Sequence, residues 1–181
     1  MQQPEFIGFR KIARLSREIV ISEKIDGTNG QIHITDDGDV FAAGRNRYLT
    51  ENDHNFHFWN FVQENKNDLL KLGPGRHFGE WWGYGINRGY GLKEKRFSLF
   101  NVHKWGDETV RPSCCYVVPV IQRHDVFDSI TVERALENLK CNGSIAVPGF
   151  MKPEGIVIFH DASGQLFKKT LEKDELPKGM R

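Results

Sequence analysis

The apolar residues of this chain come in short runs of period two, each closed by a turn signal. "EIVIS", "GQIHITD", "DVFAAGRN", "RHFGEWW", "RFSLFNVHKW", "CYVVPVI" and "EGIVIFH" alternate or nearly alternate, and glycine or aspartate turns such as "IDGTNG", "DDGD" and "DASG" separate several of them. Runs of this kind form strands joined by tight connections. Only two stretches change to a helical period. In "ENDHNFHFWNFVQENKNDLLKLG", Phe58, Val62 and Leu69 fall near one face, with Asp53 or Asn55 placed to cap the start and Gly73 to end it. In "SITVERALENLKCNG", Val132, Ala135, Leu136 and Leu139 recur at helical spacing before Gly143. Strands outnumber helices too strongly for a doubly wound parallel sheet. The pattern predicts an α+β fold of mainly antiparallel sheets with a few flanking helices.

With 181 residues the chain suits one domain, 1–181, with a real core. A net charge of +1 argues against nonspecific coating of nucleic acid, which calls for a strongly basic protein, and leaves room for local basic patches. The three cysteines, Cys114, Cys115 and Cys141, have no CxxC spacing, and their odd number speaks against a secreted disulfide framework. "MQQPEFIGFRKIARLSRE" lacks the apolar core of a signal peptide, and no apolar run reaches the ~18 residues of a membrane span. The expectation is a soluble, cytoplasmic protein that makes no use of a membrane.

One turn carries possible chemistry. In "ISEKIDGTNGQIHI", Lys24 closes one β-patterned run, Asp26-Gly27 turns the chain, and Asn29-Gly30 opens the next. A solvated hairpin explains this, and so does a lysine nucleophile. An amine attacks only when neutral, and holding it so near pH 7 costs roughly 4 kcal/mol, supplied by burial or a nearby cation. The turn alone does not choose.

The remaining runs do. "SEKIDGTNG" resembles motif I of the covalent nucleotidyltransferases (DNA ligases, RNA ligases and messenger-RNA capping enzymes), whose lysine–x–Asp/His–Gly lysine takes up a nucleoside monophosphate as a phosphoramidate. Five further runs follow in that superfamily's order: "AAGRN" with Arg45, "HFGEWWG" like motif III with Glu80, "RFSLFNV" like motif IIIa with Phe100, "EGIVIFH" like motif IV with Glu154, and "LFKKT" like motif V. "FRKIARL" and "EKIDGTN", with Glu23 and Asn29 around the lysine, resemble the RNA ligases of the RNA-ligase-2 type. "GEWWGYGINRGYG" is similar to small ligase-like proteins of phages and bacteria. The resemblance implies a nucleotidyltransferase domain, a ligase-adenylation fold of the ATP-grasp-like kind, with no OB-fold after it in this sequence.

It also implies roles. Lys24 would be the nucleophile. Glu23, Ile25, Asn29, Arg45, Glu80, Phe100, Glu154 and Lys168 would line the nucleotide, with Phe100 stacking on the base. Glu154 and Glu80 would face Mg²⁺ or Mn²⁺, hard cations that prefer oxygen ligands. Adjacent strand residues point to opposite faces, so only one of Lys168 and Lys169 can enter a pocket. Motif V usually offers lysine–x–lysine, so one phosphate cation is missing here, and Lys168 is preferred. Phe97 reads as strand core. Gly83, Gly85, Gly89 and Gly91 read as a pliable loop presenting Trp82, Tyr84 and Tyr90 for stacking, with Arg88, Lys93, Lys95 and Arg96 for phosphate. An ordinary mobile hairpin is the alternative there. Possible nucleic-acid contacts are therefore Trp82, Tyr84, Arg88 and Lys169. The histidines show no metal-ligand spacing.

The implied activity is that of an ATP-dependent RNA ligase. Lys24 takes AMP from ATP, AMP passes to a 5′-phosphate end, and a 3′-hydroxyl displaces it. The implied partner is RNA, as a nicked duplex or RNA–DNA hybrid end. An accessory protein would supply what a C-terminal domain gives longer relatives. The alternatives are a DNA ligase core, a transferase that adenylylates or caps ends without sealing, and a non-catalytic nucleotide- or RNA-binding module.

Overall fold

A computed structural model describes residues 4–172 and 174–176. In chain order the elements are β1 (Ile19–Lys24), β2 (Thr28–Ile34), β3 (Val40–Ala43), α1 (Phe58–Glu64), α2 (Lys66–Leu69), a 3-10 turn (Leu70–Leu72) and β4 (Gly75–Gly83). Then come β5 (Lys95–Leu99), α3 (Val102–Trp105), β6 (Cys115–Val117), β7 (Val120–His124), α4 (Ser129–Asn142), β8 (Gly155–His160), a second 3-10 turn (Asp161–Ser163) and β9 (Gln165–Thr170). The strands form a four-stranded sheet, β7-β1-β8-β9, and a five-stranded sheet, β3-β2-β4-β5-β6. Every pairing is antiparallel except β5 with β6, so the α+β, mainly antiparallel expectation holds.

The turn at Asp26-Gly27 is not a hairpin. β1 belongs to the four-stranded sheet and β2 to the five-stranded one. The chain crosses between the sheets a second time at Pro119, which cannot donate to a ladder and divides "CYVVPVI" into β6 and β7. The two crossings lie side by side: the Glu23 backbone N–H donates to the Pro119 carbonyl at 2.9 Å, and Ile25 and Val118 share a buried cluster with Trp82 and Tyr90. Lys24 is therefore fixed at the seam of the two sheets.

Each sheet has its own apolar layer. Ile32, Ile34, Val40, Trp81, Phe97 and Leu99 of the larger sheet pack on Phe58, Val62, Leu69 and Leu72, as the helical spacing predicts. Ile19, Ile21, Ile156 and Ile158 of the smaller sheet pack on Val132, Ala135 and Leu139 of α4, with Leu136 at the margin. Asp128 caps α4 by accepting from the Thr131 N–H, and Gly143 ends it at φ 81°. Three local expectations are corrected. The first helix is broken at Asn65, whose side-chain amide donates to the Phe61 carbonyl instead of letting the helix continue. Neither Asp53 nor Asn55 caps it; its N-cap is His57, without a side-chain hydrogen bond. The latter half of "RFSLFNVHKW" is the helix α3, capped by the Asn101 side chain. No helix among the described residues is long and apolar enough to cross a membrane.

Candidate active site

Lys24 ends β1 with its ammonium donating to Glu154 Oε2 at 2.5 Å, both side chains largely enclosed. Glu154 lies 130 positions away and arrives because β8 pairs with β1, Lys24 standing opposite Gly155. That glycine has a packing reason. A Cβ on Gly155 would lie 2.2 Å from the Lys169 carbonyl oxygen, so a side chain there would part β8 from β9. Attack needs the amine's lone pair, so the proton between Lys24 and Glu154 must leave the nitrogen.

Glu80 approaches from the other sheet. Gly27 N–H donates to its Oε1 at 3.1 Å, and the Asn29 amide donates to its Oε2 at 3.5 Å. Here too a glycine is required: a Cβ on Gly27 would lie 2.4 Å from the Trp81 carbonyl oxygen and 2.9 Å from Glu80 Cγ. Burial pushes the Glu80 carboxyl up to about 7, with Glu154 and Asp26 adding repulsion and the Lys24 charge and the Gly27 hydrogen bond opposing it. Asn29 Oδ1 accepts from Arg45 Nε and an Arg45 terminal nitrogen at 2.9 and 2.7 Å, which brings Arg45 to the same edge.

Strand register places two more residues. Ser22, Val157 and Lys168 form one cross-strand row, and Lys24, Gly155 and Thr170 the next, so Lys168 shares the Lys24 face. Phe100 continues from Ser98, the partner of Glu80, by two residues and its N–H donates to the Phe78 carbonyl; it lies on the Glu80 side and is 38% exposed. Phe97 is core, as expected.

Several candidates are placed elsewhere. Glu23 is 1% exposed and turned to the opposite face, where its carboxylate accepts from the Ser144 hydroxyl and the Ile145 and Ala146 N–H groups. It anchors a loop and has no reach to a nucleotide. Ile25 is buried with Trp82 and Tyr90, leaving only its backbone for ligand contact. Trp82 is core as well, 2% exposed, its indole N–H donating to Ser98 Oγ. Arg88 is paired with Asp26 at 3.0 Å and donates to the Lys152 carbonyl, so it braces the turn. Lys169 lies on the far face and is ion-paired with Glu133 of α4. Tyr84 is exposed and borders a cleft of about 390 Å³ with His54, Asn55, His57 and Lys95.

The glycine-rich segment is thus a brace. Successive hydrogen bonds (Ile86 N–H to the Gly83 carbonyl, Gly89 to Ile86, Leu92 to Gly89) fold it into consecutive turns. The Asn87 amide donates to Asp26 and to the Gly27 carbonyl, and the Tyr90 hydroxyl accepts from the Asp26 N–H. Asn87 and Asn55, whose side chain bonds Thr28 and the Asn29 carbonyl, were missed as site-shaping residues. Asp26 was read only as a turn residue. Tyr90, expected to be presented for stacking, is instead 2% exposed because it packs on Trp82. Asn55 carried no readable signal, because its role depends on a left-handed backbone at Asn55, Phe56 and His57.

The donor set suits a hydrated divalent cation. Mg²⁺ usually takes one or two carboxylates plus water and phosphate, and no cluster of three or more acidic, histidine or cysteine ligands occurs among the described residues. Both carboxylate oxygens of Glu80 already accept hydrogen bonds, whereas the only hydrogen bond to the Glu154 carboxylate among the described residues comes from Lys24. Glu154 is the better ligand.

Residues 17–170 match the family model described as RNA ligase. Among solved structures, a Naegleria gruberi RNA ligase variant with AMP and Mn aligns at a TM-score of 0.63 and 19% identity, covering 86% of this chain and 50% of that one. A second variant of that ligase, with ATP and Mn, aligns at 0.63 and 19%, covering 86% and 49%. An archaeal ATP-dependent RNA ligase aligns at 0.62 and 15%, covering 91% and 48%. The chain spans about half the length of these proteins, with which it shares the fold. No curated protein matches it by sequence. Because the matched span takes in both sheets and the whole Lys24–Glu80–Glu154 constellation, the chain belongs to the RNA ligase family.

Proposed function

We propose that this chain is the adenylylating unit of an ATP-dependent RNA ligase, with Lys24 as the nucleophile. The observation that carries the reading is the Lys24 amine fixed at the seam, 2.5 Å from Glu154, on the face that also holds Lys168. The ATP, AMP and Mn in the Naegleria structures support the choice of nucleotide and metal. Lys24 Nζ forms the N–P bond as the bond from the α-phosphorus to pyrophosphate breaks, and the amine proton departs. Glu154, in hydrogen-bond contact with that amine, orients it and is placed to receive the proton. Arg45 and Lys168 offset phosphate charge, Asn29 and Glu80 shape the nucleotide edge, and Phe100 offers a ring to the base. Mg²⁺ or Mn²⁺ bound beside Glu154 would supply further charge neutralisation for the departing pyrophosphate. AMP then moves from Lys24 to a 5′-phosphate, and a 3′-hydroxyl displaces it.

Positioning and charge stabilisation do most of this work. The substrate is an RNA end, in a nicked duplex or RNA–DNA hybrid, and an accessory protein assists its capture. Pyrophosphate release from ATP tests the first step: wild type gives a burst of about one equivalent, and Lys24→Ala gives none. ATP binding without release overturns the reading in favour of a binding module. Comparing nicked RNA, nicked DNA and hybrid duplexes then tests the substrate class, with adenylylated ends but no sealed product indicating a transferase.

A further inference from the structure

The five-stranded sheet buries one face on α1 and leaves the other partly bare. On that face the rows follow the register. Asn29, Glu80 and Ser98 form the row at the active site, Gln31, Phe78 and Phe100 the next, and Phe41, His33 and Arg76 the one beyond. Tyr48 covers the last row from the side. Its hydroxyl lies 2.6 Å from His33 Nδ1, its ring stacks on His33 at 6.0 Å and meets Phe41 edge-on at 5.9 Å, and the Arg76 guanidinium sits over it at 6.0 Å. Phe41, Tyr48 and Phe78 are each about half exposed. Three rings on an open sheet face leave that much apolar surface in contact with water, and such a patch marks an interaction site.

We propose that this shelf is a stacking platform for a single-stranded RNA segment leading to the Lys24 site, an inference that rests on the function proposed above. Three observations choose RNA over protein. The shelf is continuous, row by row, with the nucleotide edge at Asn29 and Glu80. Its charged members, Arg76 and the neighbouring Arg45, are cations suited to phosphate. Rows two residues apart are about 7 Å from one another, a step that successive unstacked nucleotides can follow across aromatic rings. The acidic turn Asp36, Asp37 and Asp39 at the far end of β2 limits the path, so the strand spans the rows and stops short of it.

The test is anisotropy of a labelled oligo(U) of about twelve nucleotides, titrated with the full chain as wild type, Phe41→Ala/Tyr48→Ala and Arg76→Gln, with AMP uptake measured on the same preparations. The double variant is expected to bind at least about tenfold more weakly. Arg76→Gln is expected to flatten the slope of log K against log salt by about 0.7. Unchanged RNA affinity in the folded double variant, or no RNA binding by wild type, overturns the platform. If the double variant does not fold, an unchanged salt slope in Arg76→Gln overturns it. Loss of self-association in the variants with RNA affinity intact overturns it in favour of a protein contact. Wild type that takes up AMP but fails these tests leaves the ligase reading standing. Wild type that binds RNA as expected without taking up AMP rejects the ligase reading and retains the platform.

Discussion

Phe78, Glu80 and Trp82 stand on one face of one strand, two residues apart, and their surroundings differ completely. Phe78 is 53% exposed, Glu80 is sealed under the Asp26-Gly27 turn, and Trp82 is buried beneath Tyr90. The glycine-rich segment after Trp82 makes the difference, because it folds back over that end of the strand and ties itself to Asp26. The other end has no such cover. Rings and cations that look alike in sequence serve as an internal brace at one end and an open shelf at the other, and tertiary cover decides which.

Trp82→Ala should have the largest effect, because it empties the brace: about 4 kcal/mol of stability, read by urea unfolding. A loss below about 1 kcal/mol would mean that the segment is not packed as described. Glu23→Ala should follow at about 3 kcal/mol, since it strands the Ser144 hydroxyl and two backbone N–H groups. A matching loss of ATP affinity with stability intact would instead return Glu23 to the nucleotide site.

Glu80 probes the boundary between the two ends through pH. Its protonated form is favoured by folding, so its stabilising contribution is complete below the unfolded value of about 4.3. That contribution is lost as the pH rises through about 7. Glu80→Gln, which keeps an acceptor for the Gly27 N–H, should therefore stabilise the nucleotide-free chain at pH 8 by about 2 kcal/mol, roughly 5 °C in Tm, and by almost nothing at pH 4. The same gain at both values would show that Glu80 is not buried in its charged form. Tyr84→Ala, two residues beyond Trp82 but 60% exposed, should move stability by less than about 0.5 kcal/mol. A larger loss would extend the brace outward.

The site's reactive groups were legible because the runs that carry Lys24, Glu80, Phe100 and Glu154 resemble the covalent nucleotidyltransferase motifs and follow in their order. Alternation then put Lys168 and Lys169, and Phe97 and Phe100, on opposite faces, and Gly143 marked the end of α4. Partners remote in sequence were not legible. Glu23 looks like a companion of Lys24, but its ligands lie 121 to 123 positions away on the other side of the sheet. The Asp-Gly turn has hairpin chemistry, and only the whole topology shows that its two strands join different sheets. The glycines of the segment 83–91 suggested pliability, yet they supply left-handed backbone to a bonded series of turns.

The central claim is that the amine held by Glu154 at the seam becomes covalently adenylylated. Intact mass spectrometry of the chain after exposure to ATP with Mg²⁺ or Mn²⁺, followed by peptide mapping, tests this directly. The expected result is a single added AMP, on the peptide containing Lys24, and none in Lys24→Ala. An unmodified chain, or AMP on another residue, would contradict it.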